Sequence, residues 1–199
     1  MPAIRQARDR LLAAAVELES RHGVAGTTVA ELLKVSGVAR RSLYMHFANG
    51  RDDVVTEATA VAGQAFLSDL RSAASALCPA RALDAIVERV RVRLVETDFD
   101  SSCPVLAAGL GGQTVPGARV SAGQTFLAAR QQLAGDLEGN GVPAAQAASI
   151  AGLILASVEG AQAIGVATRS TDFLDDVRTQ LSALLLTSTQ TTATNRTPE

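Results

Sequence analysis

Hydrophobic positions recur with the period of an α-helix along nearly the whole chain, and no segment shows a convincing strand pattern. The first helix, predicted over 4–21, carries an apolar stripe formed by Ile4, Ala7, Leu11, Ala15 and Leu18. We expect Gly23 to end this helix, because glycine adopts the left-handed conformation found at many helix ends. The pattern predicts an all-α fold.

Two short helices follow. Thr28 and Glu31 have the spacing of a capping box, which predicts a helix that starts here and ends near Val35. Ser36 and Gly37 predict a turn, and a second short helix is expected over 38–47. Two short helices joined by a glycine-containing turn indicate a helix-turn-helix unit.

Longer helices are predicted over 52–77, 80–97, 118–138, 143–168 and 172–186, with a short one over 105–110. The stretch 139–158 carries no charge, yet its strongly apolar part is too short to span a membrane, so a buried helix is expected there. The polar, threonine-rich end of the chain is expected to be disordered. The predicted organisation is a small head over 1–51, a larger helical body over 52–187 and a tail over 188–199.

Charge divides the chain at Arg51. The 18 lysine and arginine residues and 20 acidic residues give a formal net charge of −2. Residues 1–51 hold eight of the basic residues and four of the acidic ones, a balance of +4, so the remainder carries −6. A basic head on an acidic body indicates separate tasks, with nucleic acid as the expected partner of the head.

The head also carries a family signature. The run Gly-Thr-Thr-Val-Ala-Glu-Leu-Leu-Lys-Val-Ser-Gly-Val-Ala-Arg-Arg-Ser-Leu-Tyr-Met-His-Phe over 26–47 resembles the DNA-binding motif of the tetracycline-repressor-like (TetR) transcriptional regulators. The resemblance covers roughly 8–57. It implies an all-α homodimer with a three-helix DNA-binding head and a larger helical body that senses a small molecule.

The resemblance also implies roles in DNA binding. Thr28 would contact a phosphate, and the recognition-helix residues that face DNA would be Arg40, Arg41, Ser42, Tyr44 and His46. Arg41 stands where many members have a small residue, and 48–53 contains one extra residue, so Arg51 would replace the family's phosphate-binding lysine. The alternatives are that the two neighbouring arginines form only a solvated surface and that the histidine packs at the domain junction.

The body resembles the LmrA/YxaF subgroup through the extra residue in 49–51, the Ser-Cys-Pro-Val run over 102–105 and the Val-Glu-Gly-Ala run over 158–161. Two apolar helices suit a four-helix interface between two copies, and the candidate interface residues are Gly152, Ala156, Gly160, Phe173, Val177, Leu181 and Leu184. The alternative is that these residues pack within one chain.

A mostly apolar effector pocket is predicted from amphipathic helices. Its candidate residues are Phe66, Leu70, Leu94, Phe99, Cys103, Leu106, Leu110, Phe126, Arg130 and Gln162, each of which could instead be ordinary core. Aromatic residues make up 3% of the chain, which favours an aliphatic lining. Cys103, before a proline, is expected to be a structural thiol rather than an oxidant sensor.

Other function classes have little support. The two histidines, His22 and His46, both lie in the head, and no cluster has metal-ligand spacing, so neither catalytic residues nor a metal or cofactor is predicted. The N-terminal residues lack the apolar core of a secretion signal, which predicts a cytoplasmic protein with reduced thiols and no membrane partner. The expected function is a homodimeric repressor that a small, largely apolar effector releases from a palindromic operator. The alternative is a helical interaction module that has lost DNA binding.

Overall fold

The computed structural model describes residues 2–74 and 78–194, and side chains over 5–74 and 78–188. The described residues form nine α-helices and no strand, which confirms the predicted all-α fold. The helices are α1 (Pro2–Gly26), α2 (Val29–Ser36), α3 (Arg40–His46), α4 (Arg51–Ala74), α5 (Pro79–Glu96), α6 (Pro104–Gly111), α7 (Pro116–Gly139), α8 (Ala144–Thr168) and α9 (Asp172–Thr194). Gly23 interrupts the helical backbone of α1 with φ 65°, at the position where the sequence predicts the helix to end.

The chain forms two compact units. The first comprises the described residues of Met1–Phe66 and Ser102–Phe126, so α6 and the beginning of α7 pack with the head helices. One core cluster lies among α1 to α4 and includes Leu11, Leu32, Leu43, Phe47 and Val54. A second cluster joins the end of α1 to α4, α6 and α7, and includes Val24, Val55, Val105, Ala118 and Ala122.

The compact units do not coincide with the predicted division at residue 51. The backbone N–H of Ser102 donates to the carbonyl of Ser20 at 2.8 Å, which ties the segment before α6 to α1. A Cβ atom on Gly111 would lie 3.0 Å from Val24 Cβ, so α6 approaches α1 closely. These contacts join residues far apart in sequence, and periodicity carries no information about them.

The second unit comprises the described residues of Leu67–Ser101 and Leu127–Glu199. The helices α5, α8 and α9 pack together there, with Leu83, Leu94, Leu174 and Leu185 fully buried. By length and composition α8 could span a membrane, yet one of its faces is buried in this unit. Arg91 of α5 donates to Thr171 at 2.7 Å and to Asp175 at 2.6 Å, which fixes α5 to the start of α9.

The tail differs from the prediction. The helix α9 continues to Thr194, well into the range 188–199 that was expected to be disordered, and residues 195–199 lie outside the described part. No glycine or proline interrupts 172–194. The hydroxyl groups of Thr187 and Ser188 both donate to the carbonyl of Leu184, at 2.9 and 2.8 Å, and Ser188 is buried. Polar composition alone therefore misplaced the end of the ordered chain.

Candidate nucleic-acid interface

Capping interactions at both ends of α2, together with one contact from α1, determine the geometry of the turn between α2 and α3. Thr28 is the N-cap, and its hydroxyl oxygen accepts a hydrogen bond from the backbone N–H of Glu31 at 3.2 Å. Gly37 adopts the left-handed conformation with φ 62° and donates its N–H to the carbonyl of Leu33. Arg10 of α1 donates to the carbonyl of Ser36, so α1 holds the turn from outside. The angle between α2 and α3 is thus set by local capping and one long-range contact.

The helix α3 is anchored by one side and exposed on the other. Leu43 is fully buried, whereas Arg40 and Arg41 are exposed. The guanidinium carbon of Arg40 lies 5.7 Å from the centre of the Tyr44 ring, within the range of a cation–π contact. Exposed guanidinium groups on such a helix can bond to guanine or to phosphate oxygens.

Met45 was missed by the sequence reasoning. Its side chain is 67% exposed on α3, beside Tyr44, which is 45% exposed. A methionine at the surface of a short helix offers an apolar contact to the methyl group of thymine. The signal was available in the helical period, because Leu43 is the buried position of α3 and residue 45 falls away from it.

Tyr44 and His46 lie next to the connection between α3 and α4. A Cβ atom on Gly50, which has φ 62°, would approach Tyr44 Cε1 to 2.8 Å, so the tyrosine ring packs closely on this glycine. His46 is half-buried, with its ring centre 6.3 Å from that of the buried Phe47. Ser42 is half-buried as well. Tyr44 and His46 therefore each pack against the protein and remain partly accessible to solvent.

The start of α4 is capped by its own carboxylate. The backbone N–H of Asn49 donates to Asp53 Oδ2 at 2.9 Å, and the amide side chain of Asn49 donates to Oδ1 at 3.1 Å. These two hydrogen bonds hold the pKa of Asp53 below its usual value. The insertion in 48–53 thus forms a well-defined turn.

Arg51 has partners inside the protein. Its Nε donates to the carbonyl of Thr27 at 2.6 Å, its Nη2 donates to the carbonyl of Val24, and its Nη1 lies 3.2 Å from Asp52 Oδ1. The guanidinium therefore connects α4 to the segment between α1 and α2. These contacts use three of the five N–H groups of the guanidinium, so we assign Arg51 a structural role and test that role against the predicted phosphate contact in the Discussion.

Glu19 of α1 is a buried acidic residue of the first unit. Its side chain is fully buried, and Thr59 of α4 donates to its Oε2 at 3.3 Å. Burial raises its pKa to about 8, opposed by the hydrogen bond from Thr59 and by the charge of Arg51. Its Oε1 has no hydrogen-bond partner among the described residues.

The residues of the predicted effector pocket are divided between the two units. In the first, the rings of Phe66 and Phe126 pack edge to face with centres 5.9 Å apart, Cys103 is buried and Leu110 is 77% exposed. Leu106 packs against the second core cluster of this unit.

In the second unit, Leu70, Leu94 and Gln162 are buried. Arg130 is exposed and donates to the carbonyl of Ala148 at 2.9 Å, while Phe99 lies against Arg169. Of the ten predicted residues, Leu70 lines a pocket of this unit, described below. Among the described residues no group of histidine, cysteine and acidic side chains could hold a metal ion.

The predicted interface residues lie on α8 and α9, and they differ in exposure. On α8, Ala156 is exposed, and a Cβ atom on Gly160 would meet open space, whereas one on Gly152 would lie 3.5 Å from Arg130. On α9, Phe173 is exposed, Val177 and Leu184 are half-buried, and Leu181 is buried within the chain.

The sequence reasoning missed two further residues of the exposed face of α8. Leu153 and Ile164 are 47% and 42% exposed, and they share this face with Ala156 and Gly160 at helical spacing.

The anchored turn, the exposed arginines of α3 and the all-α fold define a helix-turn-helix protein of the transcriptional-regulator class. Family comparison agrees: residues 11–58 match the model described as bacterial regulatory proteins of the tetR family, and residues 79–180 match the LmrA/YxaF-like C-terminal domain of transcriptional regulators. The chain is also 30% identical over 185 residues to the uncharacterized HTH-type transcriptional regulator Rv0196 of Mycobacterium tuberculosis, covering 90% of this chain and 94% of that protein. The chain therefore belongs to the TetR family of transcriptional regulators.

Solved structures agree in fold. The regulatory protein TetR from Rhodobacter sphaeroides superposes with a TM-score of 0.80 at 19% identity, covering 89% of this chain and 97% of that one. A TetR-family transcriptional regulator from Agrobacterium tumefaciens gives a TM-score of 0.80 at 17% identity, with 90% and 97% covered. The resemblance seen in the sequence is confirmed.

Proposed function

We propose that the protein is a cytoplasmic, homodimeric repressor that binds a palindromic operator through α3 and leaves it when a small, largely apolar molecule binds the body. The observation that carries DNA reading is the exposed side of α3, where Arg40, Arg41 and Met45 project from a helix anchored by buried Leu43. Thr28, Ser42, Tyr44 and His46 complete the proposed contacts.

The support for a homodimer comes from the body. Leu153, Ala156, Gly160 and Ile164 place apolar or small groups on one exposed face of α8, and Phe173 adds an exposed aromatic ring at the start of α9. TetR-family regulators bind operator DNA as dimers, in which symmetric contacts bury such faces on both copies. Two heads on one dimer would then meet successive major grooves of a palindromic site.

Release by an effector follows the logic of linked equilibria. A ligand that prefers a body conformation with differently placed heads lowers DNA affinity by its differential affinity for the two conformations. No catalytic role is proposed, because family membership points to regulation and the charged side chains of the head suit phosphate binding.

The test is a selection from a randomised duplex library, followed by mobility shift on the enriched sequence and on the DNA upstream of the coding region. We expect a palindromic site and loss of binding in the Arg40→Ala, Tyr44→Ala double variant. Arg81→Ala, which removes an exposed arginine of α5, is the matched control and should bind like the unmodified protein. Failure to enrich any DNA at low salt would favour an interaction module instead.

A further inference from the structure

The second unit contains a pocket lined by α4, α5, α7 and α8. It holds about 440 Å³ of space free of protein atoms, including its open mouth. Most of its walls are aliphatic, with Leu70, Ile86, Leu133 and Ile154 among them. The two polar side chains of the lining are Asp136 of α7 and Asn140, which directly follows α7. A mostly apolar pocket with a few polar groups is the usual form of a small-molecule site.

Asp136 is the unusual member of the lining. Its Oδ2 is buried and has no hydrogen-bond partner within 2–74 and 78–194, and no ion pair given by those residues includes it. Asn140 does not serve it, because its amide donates to the backbone carbonyl of residue 136 at 2.8 Å. A buried acceptor without a partner is destabilising, and more so when it is charged. Burial also raises the pKa of this carboxyl.

Glu19 of the first unit is a contrasting case. It is fully buried, whereas Asp136 is half-buried and only its Oδ2 is buried, and each has one unpartnered oxygen; Thr59 donates to the other oxygen of Glu19, and the charge of Arg51 acts on it. Asp136 has no such cation and opens onto a pocket. Gln132 Nε2, one turn earlier on α7, is also buried without a partner, and as a neutral amide it leaves the charge of a carboxylate at Asp136 unbalanced. Because Asp136 lines the pocket, a positively charged donor bound there could reach it.

We propose that this pocket binds a small primary ammonium compound, with the ammonium group on Asp136 and a short alkyl group along the aliphatic walls. The proposal rests on the proposed function, for which it names the effector class. An ammonium group has three donors and no acceptor, which suits a lone carboxylate.

Two features of the pocket limit the ligand further. The lining contains no aromatic side chain, so the cage that favours quaternary ammonium groups is missing from it. The enclosed volume has room for one or two water-sized groups, so it fits a primary ammonium group while the alkyl part extends toward the mouth. A short-chain alkylamine meets both limits.

The test compares n-butylammonium with 1-butanol, which is uncharged, and with butyrate, which is negatively charged. All three compounds contain four carbon atoms. Unfolding temperature of the full-length protein is followed against ligand concentration at constant ionic strength and pH 7, since a ligand that binds the folded state raises this temperature. We expect saturable stabilisation by n-butylammonium and at least roughly tenfold weaker binding of the other two. Equal effects of n-butylammonium and 1-butanol would overturn the proposal.

Two variants test the residue assignment. Asp136→Asn should weaken n-butylammonium binding at least roughly tenfold, since it removes the charge and keeps the size. Asp84→Asn, which alters an exposed carboxylate of α5, is the matched control and should bind like the unmodified protein. Ala82→Leu narrows the pocket from α5 while keeping the Asp136 carboxylate, and should also weaken binding. Unchanged binding by Asp136→Asn or by Ala82→Leu would overturn the site.

Mobility shift on the selected operator separates this proposal from the proposed function. Loss of operator binding on adding n-butylammonium, absent in Asp136→Asn, supports both. Charge-selective binding by a protein that enriches no DNA supports the site and contradicts the repressor. Operator binding by a protein that shows no charge-selective binding contradicts the site and leaves the repressor standing.

Discussion

The guanidinium of Arg51 connects three segments of the first unit, and its replacement distinguishes a structural role from DNA contact. Arg51→Gln removes donors from the carbonyls of Val24 and Thr27, which precede α2. We expect the free energy of unfolding to fall by about 1–3 kcal/mol and operator affinity to fall with it. The slope of log affinity against log salt should stay unchanged, because no phosphate contact is lost.

The matched control is Arg41→Gln, at an exposed arginine of α3. This variant should lower the salt slope by about one and leave the free energy of unfolding unchanged. Mobility shift over a salt series and urea denaturation measure the two quantities. A reduced salt slope in Arg51→Gln with an unchanged free energy of unfolding would contradict the structural role and support the phosphate contact that the sequence predicts.

Glu19 makes stability depend on pH. Burial raises the pKa of its carboxyl to about 8 from an ordinary value of 4.5, so between these values the folded protein holds a proton that the unfolded chain has lost. The free energy of unfolding should therefore fall as pH rises from about 5 to 8, with a contribution of up to about 1.4 kcal/mol per pH unit. Glu19→Gln should remove this contribution.

The measurement is urea denaturation of both proteins at pH 5.5, 7.0 and 8.5. Taking the difference between the two proteins at each pH cancels the contributions of the groups that both proteins share. The free energy of unfolding of the Glu19→Gln protein should increase relative to that of the unmodified protein as pH rises. A constant difference across the series would mean that Glu19 titrates near its ordinary value.

Local capping was accessible from the sequence, and long-range partners were not. Thr28 and Gly37 were placed correctly because the groups they bond, the N–H of Glu31 and the carbonyl of Leu33, lie three or four residues away. The partners of Arg51 lie 24 and 27 residues away, and a charge pattern does not reveal them. The same holds for Asp136, whose position on a pocket wall depends on four helices.

At the scale of elements, helix existence followed from periodicity, while some boundaries depended on packing. The second short helix was predicted over 38–47 and is observed over 40–46, because Ala39 has an extended backbone before the helix begins. The helix α9 extends beyond its predicted end at residue 186, and in this extension the hydroxyl of Ser188 donates to the carbonyl of Leu184. The small-residue spacing in α8 was recognised, whereas Leu153 and Ile164 beside it were overlooked.

The exposed face of α8 yields a prediction about assembly. Ile164→Asp places a charge at the proposed dimer interface, and since Ile164 is already 42% exposed in the single chain, the fold should tolerate it. We expect the protein to shift from dimer to monomer at micromolar concentration, because an unpaired charge in an apolar interface is strongly unfavourable. Light scattering coupled to gel filtration gives the mass directly.

Val120→Asp is the matched control for this variant, because Val120 is 59% exposed on α7 and belongs to the first compact unit, whereas the proposed interface residues belong to the second. It should remain a dimer. Circular dichroism checks that both variants keep their helix content. A dimeric Ile164→Asp protein would move the interface to another face, and a monomeric unmodified protein would remove the dimer altogether.

At the scale of the whole molecule, the sequence predicted the all-α class and the basic head, since both depend on composition and period. It did not predict that α6 packs with the head helices in one compact unit, because the bond from Ser102 to Ser20 spans 82 residues. The charge balance of +4 over 1–51 has a further consequence when two chains associate. A dimer presents two such heads, and both must engage for full affinity.

Mixing two versions of the protein tests this coupling. The Arg40→Ala, Tyr44→Ala double variant keeps the α8 face and should form heterodimers with unmodified chains. After subunit exchange at equal concentrations, roughly a quarter of the dimers carry two intact heads by random pairing. The number of dimers with two intact heads is then about half of what the same amount of unmodified protein forms alone, so binding to the full palindrome should fall to about half, because a heterodimer has one competent head. The double variant that also carries Ile164→Asp should not exchange and should leave binding by the unmodified dimers intact. Unchanged binding after exchange with the double variant would indicate that single chains bind DNA independently.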